Sequence, residues 1–329
     1  MQTLCECALE PSVSPLKRST RLILSSEWTY EPQVYPEKAF LPSYVLIGLP
    51  APESSNPLLL PLAGHELGHS LWRANNLGEE LYPKVVGAVF ASIFQNKDDF
   101  YKTYHSEITD IDIAKAQPQE LAEFLKNNIR FFTNAIEWAR SQAEETFCDF
   151  TGLRLFGVSY LKSFAYLASP RLSMQRDEAY PRLTTRVRNL VEIAPRFGVK
   201  PPEGFEGLFE DDPEADYQNS MRFNLTVADE ALGDLRESIF NKAQALLSDE
   251  FVPTPSDDEA SQILRWIRLV VPAKGARSLA DILNAAWLAF EDKTLWKDIP
   301  DLHKKKDDVL KELILKNIEI FEIESRQKD

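Results

Sequence analysis

The sequence is poor in cysteine and has no long apolar run. Its only cysteines among 329 residues are Cys5, Cys7 and Cys148, an odd number without a CxxC pair, which excludes a disulfide framework and a cysteine-rich zinc knuckle. No stretch approaches the roughly 18 apolar residues that a membrane-spanning helix needs. Glu6 and Glu10 interrupt the segment in which a signal peptide would be apolar. We therefore expect a cytoplasmic protein without membrane spans.

Basic residues are also fewer than acidic residues. The chain has 37 lysines and arginines against 51 aspartates and glutamates, a formal net charge of −14. Such a charge repels nucleic-acid phosphates and anionic lipid headgroups. We therefore expect neither nucleic acid nor a membrane as a partner. Hydrophobic residues at 44% and charged residues at 27% are typical of a folded globular protein.

Hydrophobic periodicity predicts an α+β fold that is predominantly helical. Apolar runs at 20–25 and 43–49 predict the strands of a small N-terminal sheet. Apart from the first run, residues 1–42 are predicted to be irregular. Helical patterns follow at 81–95, 118–127, 128–157, 158–168, 183–194, 227–248, 256–270, 278–291 and 305–323. Trp266 and Trp287 lie on apolar helix faces and are predicted core residues.

A segment rich in Gly, Pro and acidic residues, 198–216, divides the chain. We interpret it as an acidic linker between an N-terminal domain, 1–197, and a helical C-terminal domain, 217–329. The C-terminal domain has no catalytic motif, so it is a candidate for binding a protein partner.

Histidine is scarce, yet two of the four histidines lie four residues apart in the sequence HELGH, 65–69. Positions i and i+4 share one face of a helix, so His65 and His69 can reach the same metal ion. The carboxylate of Glu66 lies beside that ion, where it can take a proton from water. The motif predicts a zinc site with Glu66 as general base, in preference to a pair of buried structural histidines.

The helix that carries this motif has recognisable ends. Asn56 can cap its free amides, and Pro57 suits the first helical position because its missing N–H is not needed there. Gly78 is predicted to end the helix, since glycine tolerates the left-handed conformation that closes helices.

A catalytic zinc site needs a third protein ligand. The metzincin pattern would place glycine and histidine where this chain has Trp72 and Asn75, so that class is excluded. Farther along, Glu145 and Asp149 lie one helical turn apart. Glu145 can complete a His₂Glu site, and Asp149 can accept the second ring N–H of a ligating histidine. His105 is an alternative third ligand.

HExxH followed by ExxxD on a later helix resembles the gluzincin metallopeptidases. Residues 40–195 look most like a soluble relative of the CAAX prenyl protease type, in which a His-Pro pair and an arginine follow the second motif. Pro181 and Arg186 match that pattern, whereas Tyr180 stands where the family has histidine. Tyrosine can also donate a hydrogen bond to an oxyanion, so Tyr180 is a candidate catalytic residue.

The resemblance implies a zincin-like catalytic domain that binds Zn²⁺ through His65, His69 and Glu145 and hydrolyses peptide bonds. It also implies that the strand at 43–49 binds an extended substrate along an exposed sheet edge. Two alternatives stay open: a catalytically inactive zincin-like protein that regulates or binds a partner, and a zinc amidohydrolase that does not act on peptides. Cys148 lies between Glu145 and Asp149 and is predicted to be a small core residue.

Overall fold

The computed structural model is predominantly helical with one small sheet, as the sequence predicts. It describes residues 1–10, 20–27, 33–34, 44–50, 53, 55–108, 115–169, 176–211, 213, 216–248 and 252–328. The helices are α1 (Gln2–Leu9), α2 (Ala63–Ala74), α3 (Leu77–Gln95), α4 (Lys97–Tyr104), α5 (Pro118–Asn127), α6 (Thr133–Phe156), α7 (Val158–Ala168), α8 (Leu183–Ile193), α9 (Asn219–Leu246), α10 (Asp257–Arg268), α11 (Leu279–Glu291), α12 (Pro300–Lys304) and α13 (Lys306–Lys328). Within these ranges no helix is both long and apolar enough to cross a membrane.

The described strands form one three-stranded sheet in the order β1-β3-β2. They are β1 (Arg21–Glu27), β2 (Gln33–Val34) and β3 (Tyr44–Pro50). β1 pairs in parallel with the whole of β3, and β2 pairs antiparallel with Ile47 and Gly48 on its other side. The two predicted strands are thus confirmed, but β3 is the middle strand. The expectation that β3 is an exposed edge strand is wrong, because it is paired on both sides. β1 pairs with it over its full length, and β2 pairs with Ile47 and Gly48.

The start of the motif helix is close to the prediction, whereas its end is not. The side chain of Asn56 accepts a hydrogen bond from the backbone of Leu58, and a 3₁₀ turn at Pro57–Leu62 leads into α2. The helix ends at Ala74, before Gly78, because Asn76 takes the left-handed conformation with φ 52°. Asparagine tolerates this region better than most residues. Gly78 instead lies inside α3.

Helix α2 lies unusually close to α6, because two glycines on its inner face leave room for the other backbone. A Cβ at Gly68 would lie 2.7 Å from the Cα of Cys148, and a Cβ at Gly64 would lie 3.1 Å from the Cα of Gly152. Any side chain at these positions would push the helices apart. This close approach brings the helix of HExxH against the helix of ExxxD.

On its other side α6 packs against the long helix α9. The hydrophobic core is continuous, from Met1 to Ile314, and includes residues on both sides of the predicted linker. Within the linker segment, Phe205 and Phe209 are buried. The division into two domains at this segment remains a prediction.

Two local predictions are corrected. Residues 2–9, expected to be irregular, form α1, whose Cys5 is fully buried. The side chain of Cys7 lies outside the described part of the chain. Trp287 is in the core as predicted, but Trp266 is 46% exposed near the end of α10.

We expect Gly68→Ala to lower the free energy of unfolding by about 1–3 kcal/mol, because overpacking a tight contact forces the backbones apart. Chemical denaturation would measure this change. Gly87→Ala is the matched control, since no atom lies within 4 Å of a Cβ at that position in α3. It should leave stability unchanged or raise it by about 0.5–1 kcal/mol. Equal effects of the two substitutions would contradict the role of Gly68.

Candidate metal centre

His65 lies between two carboxylates of α6. Its Nδ1 is 3.0 Å from Oδ1 of Asp149, and its Nε2 is 3.1 Å from Oε2 of Glu145. Burial opposes protonation of the ring, but these two hydrogen bonds outweigh it and raise the pKa of His65 to about 10. The pKa of Glu145 is lowered: burial opposes this, but the hydrogen bond and charge of His65 prevail. Both carboxylates are therefore ionised at neutral pH.

His69 has the same arrangement, with a different partner on its far side. Its Nδ1 is 2.8 Å from Oε1 of Glu144, and its Nε2 is 3.6 Å from Oε1 of Glu145. The rings of His65 and His69 lie edge to face, with centroids 5.2 Å apart. Glu145 thus faces the Nε2 atoms of both histidines, while Asp149 and Glu144 each hold an Nδ1 atom.

These positions fit a zinc ion. In a tetrahedral site with bonds of about 2.0–2.2 Å, two ligand atoms lie roughly 3.3–3.6 Å apart. The separations of Glu145 oxygens from the two Nε2 atoms, 3.1 and 3.6 Å, are close to that range. A carboxylate on the second ring nitrogen of each ligating histidine is also typical of protein zinc sites. His65, His69 and Glu145 could therefore hold the ion, which would replace the proton on Nε2 of His65.

Cys148 is a second candidate for the third ligand. One donor atom from each of His65, His69 and Cys148 lies within 4.8 Å of the others. The thiolate is the form that binds metals. However, burial and the neighbouring carboxylates raise the thiol pKa of Cys148 well above its ordinary value. Glu145 is already anionic, and its oxygens lie 3.1 and 3.6 Å from the two Nε2 atoms, so it is the stronger candidate.

Glu66 is buried beside these ligands without a polar partner. Its side chain is 5% exposed, and it makes no hydrogen bond or ion pair within the part of the chain that the structure describes. Burial is the main reason that its pKa is raised, against the lowering effect of His65 and His69. Its carboxylate oxygens are not among the fully enclosed polar atoms that lack a partner, so they keep some contact with solvent. A carboxylate beside candidate metal ligands, with a raised pKa and access to water, is a candidate acid or base.

Asp149 connects four helices. Besides His65 of α2, it accepts hydrogen bonds from Arg186 of α8, at 2.8 and 2.9 Å, and from the hydroxyl of Tyr160 of α7, at 2.8 Å. Burial alone would raise the pKa of Asp149, but the Arg186 charge and hydrogen bonds lower it well below the ordinary range. The predicted role of Asp149 as partner of a ligating histidine agrees with this geometry.

Helix α9 forms hydrogen bonds with the segment that precedes α8. Asp229 of α9 accepts hydrogen bonds from Arg176, Arg182 and Gln142. Gln142 lies one turn before Glu145 on α6 and also donates to the carbonyl of residue 178. The C-terminal half therefore holds residues 176–182 against the helix that carries the ligands.

The other two predicted candidates lie outside this cluster. Tyr180 is 38% exposed, and its ring lies under the guanidinium of Arg186 at 5.5 Å. Its ring contacts Arg186, which binds Asp149 of the centre, and its catalytic role stays a prediction. His105 is exposed at the end of α4, where its ring nitrogen contacts the carbonyl of Lys102 at 2.9 Å. It makes no contact with the other candidate ligands.

Two contributors were not predicted from the sequence. Glu144 was set aside in favour of its neighbour, although adjacent helical positions can face two histidines one turn apart. Tyr160 lies on the next helix after Gly157, and no motif signals its contact with Asp149. Its ring lies where Gly152 leaves space.

Comparison with known proteins adds no family to this description. No protein-family model, curated protein or solved structure matches the chain. The function must therefore be argued from the geometry of the centre.

We expect Glu145→Gln to weaken zinc binding at least 100-fold, since it removes a charged ligand, whereas Cys148→Ser should bind zinc as the unchanged protein does. Competition with a chromogenic chelator, with metal content checked by mass spectrometry, would measure both. The two residues lie within one turn of α6 and are both buried, which makes the variants a matched pair. Loss of zinc from Cys148→Ser alone would instead assign a His₂Cys site.

We expect Asp149→Asn to destabilise the zinc-free protein by about 3 kcal/mol, because it leaves Arg186 without its charge partner. The folded-state pKa of Asp149 lies below its ordinary value of 3.8. The ionised carboxylate therefore stabilises the fold fully above pH 3.8. This stabilisation is lost as the pH falls from 3.8 towards the folded-state pKa. Urea unfolding of both proteins between pH 7 and pH 3 would show the difference shrinking at the acidic end. A difference independent of pH would contradict this account.

Proposed function

We propose that the chain is a zinc-dependent metallopeptidase. One observation carries this proposal: Glu145 faces both histidines of HELGH, and beside them lies the carboxylate of Glu66, which makes no hydrogen bond or ion pair with the described residues. A purely structural histidine pair would not account for that carboxylate. The resemblance to gluzincins rests on these same residues and supports peptides as substrates.

The side chains have distinct tasks in this proposal. His65, His69 and Glu145 would hold the ion, and Asp149 and Glu144 fix the orientation of the two rings through their Nδ1 atoms. Zinc bound there would supply Lewis-acid chemistry, which acidifies water and polarises a scissile carbonyl.

Glu66 moves the proton. Its carboxylate takes a proton from the attacking water and delivers it to the nitrogen of the leaving amine. Hydrolysis then consumes one water and yields one new carboxyl end and one new amino end. Tyr180 is the proposed hydrogen-bond donor to the oxyanion, and its ring packs under the guanidinium of Arg186.

The test is Glu66→Gln in the full chain loaded with zinc. We expect zinc to be retained and hydrolysis to fall by about 10²–10⁴-fold, because only the proton acceptor is removed. A peptide library derived from a cell proteome would serve as substrate, with new amino termini counted by mass spectrometry. Glu123→Gln, an exposed glutamate of α5, is the control and should cleave normally.

Other outcomes would decide against the proposal. Zinc bound by the unchanged protein with no new amino termini would favour the inactive zincin-like alternative. Cleavage that persists in Glu66→Gln would come from a contaminant or from a different catalytic group.

A further inference from the structure

A cluster of apolar side chains is exposed at the end of α10 and in the turn after it. We call Trp266, Leu269, Val270 and Val271 the apolar tip. Trp266 is 46% exposed and Leu269 is 67% exposed, the highest value among the large hydrophobic residues that the structure describes. Large apolar side chains grouped in this way indicate an interaction site, whereas isolated ones do not.

The backbone holds the apolar tip in an uncommon conformation. Val270 has φ 58°, a left-handed value that β-branched residues rarely adopt. The turn is fixed nevertheless, because the indole N–H of Trp296 donates to the carbonyl of Arg268, and the amide of Val271 donates to the carbonyl of Trp266. A strained turn that exposes three consecutive apolar residues favours binding over stability.

The chain segment that carries the apolar tip is basic, although the chain as a whole is acidic and Asp292 and Glu324 of other elements contact this segment. Between residues 260 and 280 there are four basic residues and no acidic one. They are Arg265, Arg268, Lys274 and Arg277, all exposed. Arg268 pairs with Asp292, and Arg277 donates to the carbonyl of residue 254. Arg265 and Lys274 make no hydrogen bond or ion pair with the described residues.

We propose that the apolar tip docks on the surface of an anionic lipid bilayer. Tryptophan and aliphatic side chains enter the boundary between headgroups and acyl chains, and lysine and arginine beside them bind anionic headgroups. The net charge of −14 does not prevent this, because at 0.1 M salt charges are screened beyond about 10 Å. Basic side chains next to exposed tryptophan and aliphatic side chains favour an anionic lipid surface as the occupant. The proposal concerns this one surface and differs from the expectation drawn from net charge alone.

The experiment is co-sedimentation of the full chain with phosphatidylcholine vesicles that contain 30 mol% or no phosphatidylserine. We expect binding only to the phosphatidylserine vesicles, and weaker binding as salt rises from 50 to 500 mM. Replacing both Leu269 and Val271 by Asn should lower the partition coefficient at least tenfold, and replacing Arg265 and Lys274 by Gln should lower it on the order of tenfold.

Matched controls separate the apolar tip from general surface effects. Leu315→Gln removes a leucine of α13 that is 49% exposed, and Lys126→Gln with Lys200→Gln removes two exposed cations elsewhere. Both controls should bind vesicles normally, and circular dichroism would verify that all variants fold. Absence of binding at 50 mM salt, or binding unchanged in the Leu269 and Val271 variant, would overturn the proposal. A concentration-dependent dimer lost in that variant, without vesicle binding, would assign the surface to a second copy of the chain.

Discussion

The close contact between α2 and α6 is the constraint on which the candidate centre depends. Gly64 and Gly68 remove the side chains that would separate the two backbones. Short side chains such as aspartate and glutamate can therefore reach the histidines directly. With ordinary residues at the glycine positions, the carboxylates of α6 would lie too far away to contact both rings. The site therefore depends on the absence of side chains at Gly64 and Gly68 as well as on its charged residues.

Asp149 shows how a single buried carboxylate can organise several elements. It receives hydrogen bonds from α7 and α8 and contacts a histidine of α2. Each of these helices is fixed relative to α6 by the same two oxygen atoms. Fold stability and ring orientation are thereby coupled, because the interaction that holds the helices together also selects the position of the His65 ring. Such coupling is typical of residues that support metal ligands.

Much of this architecture follows from local sequence. Most helices, two strands and the cap at Asn56 depend on periodicity and on local hydrogen bonding, so they could be predicted, whereas α1, α4 and α12 lie outside the predicted helices. The pairing of HExxH with Glu145 and Asp149 was predicted from metal chemistry, and these residues do meet. Glu144, Tyr160 and Cys148 could not be assigned in the same way, because their proximity depends on how α2 and α7 pack on α6. The middle position of β3 likewise depends on strand pairing, which leaves no local signal.

The Asp229 cluster has a consequence for how the chain can be divided. All residues of the HExxH and ExxxD motifs precede residue 198, so a fragment ending there would look complete by inspection of its motifs. Yet the acceptor for Arg176, Arg182 and Gln142 is on α9, beyond that point. Such a fragment would leave two guanidinium groups and an amide without their shared carboxylate and would bare the face of α6 that α9 covers. We therefore expect that a fragment must extend through α9, beyond the boundary predicted at 198–216, to keep these contacts around the centre.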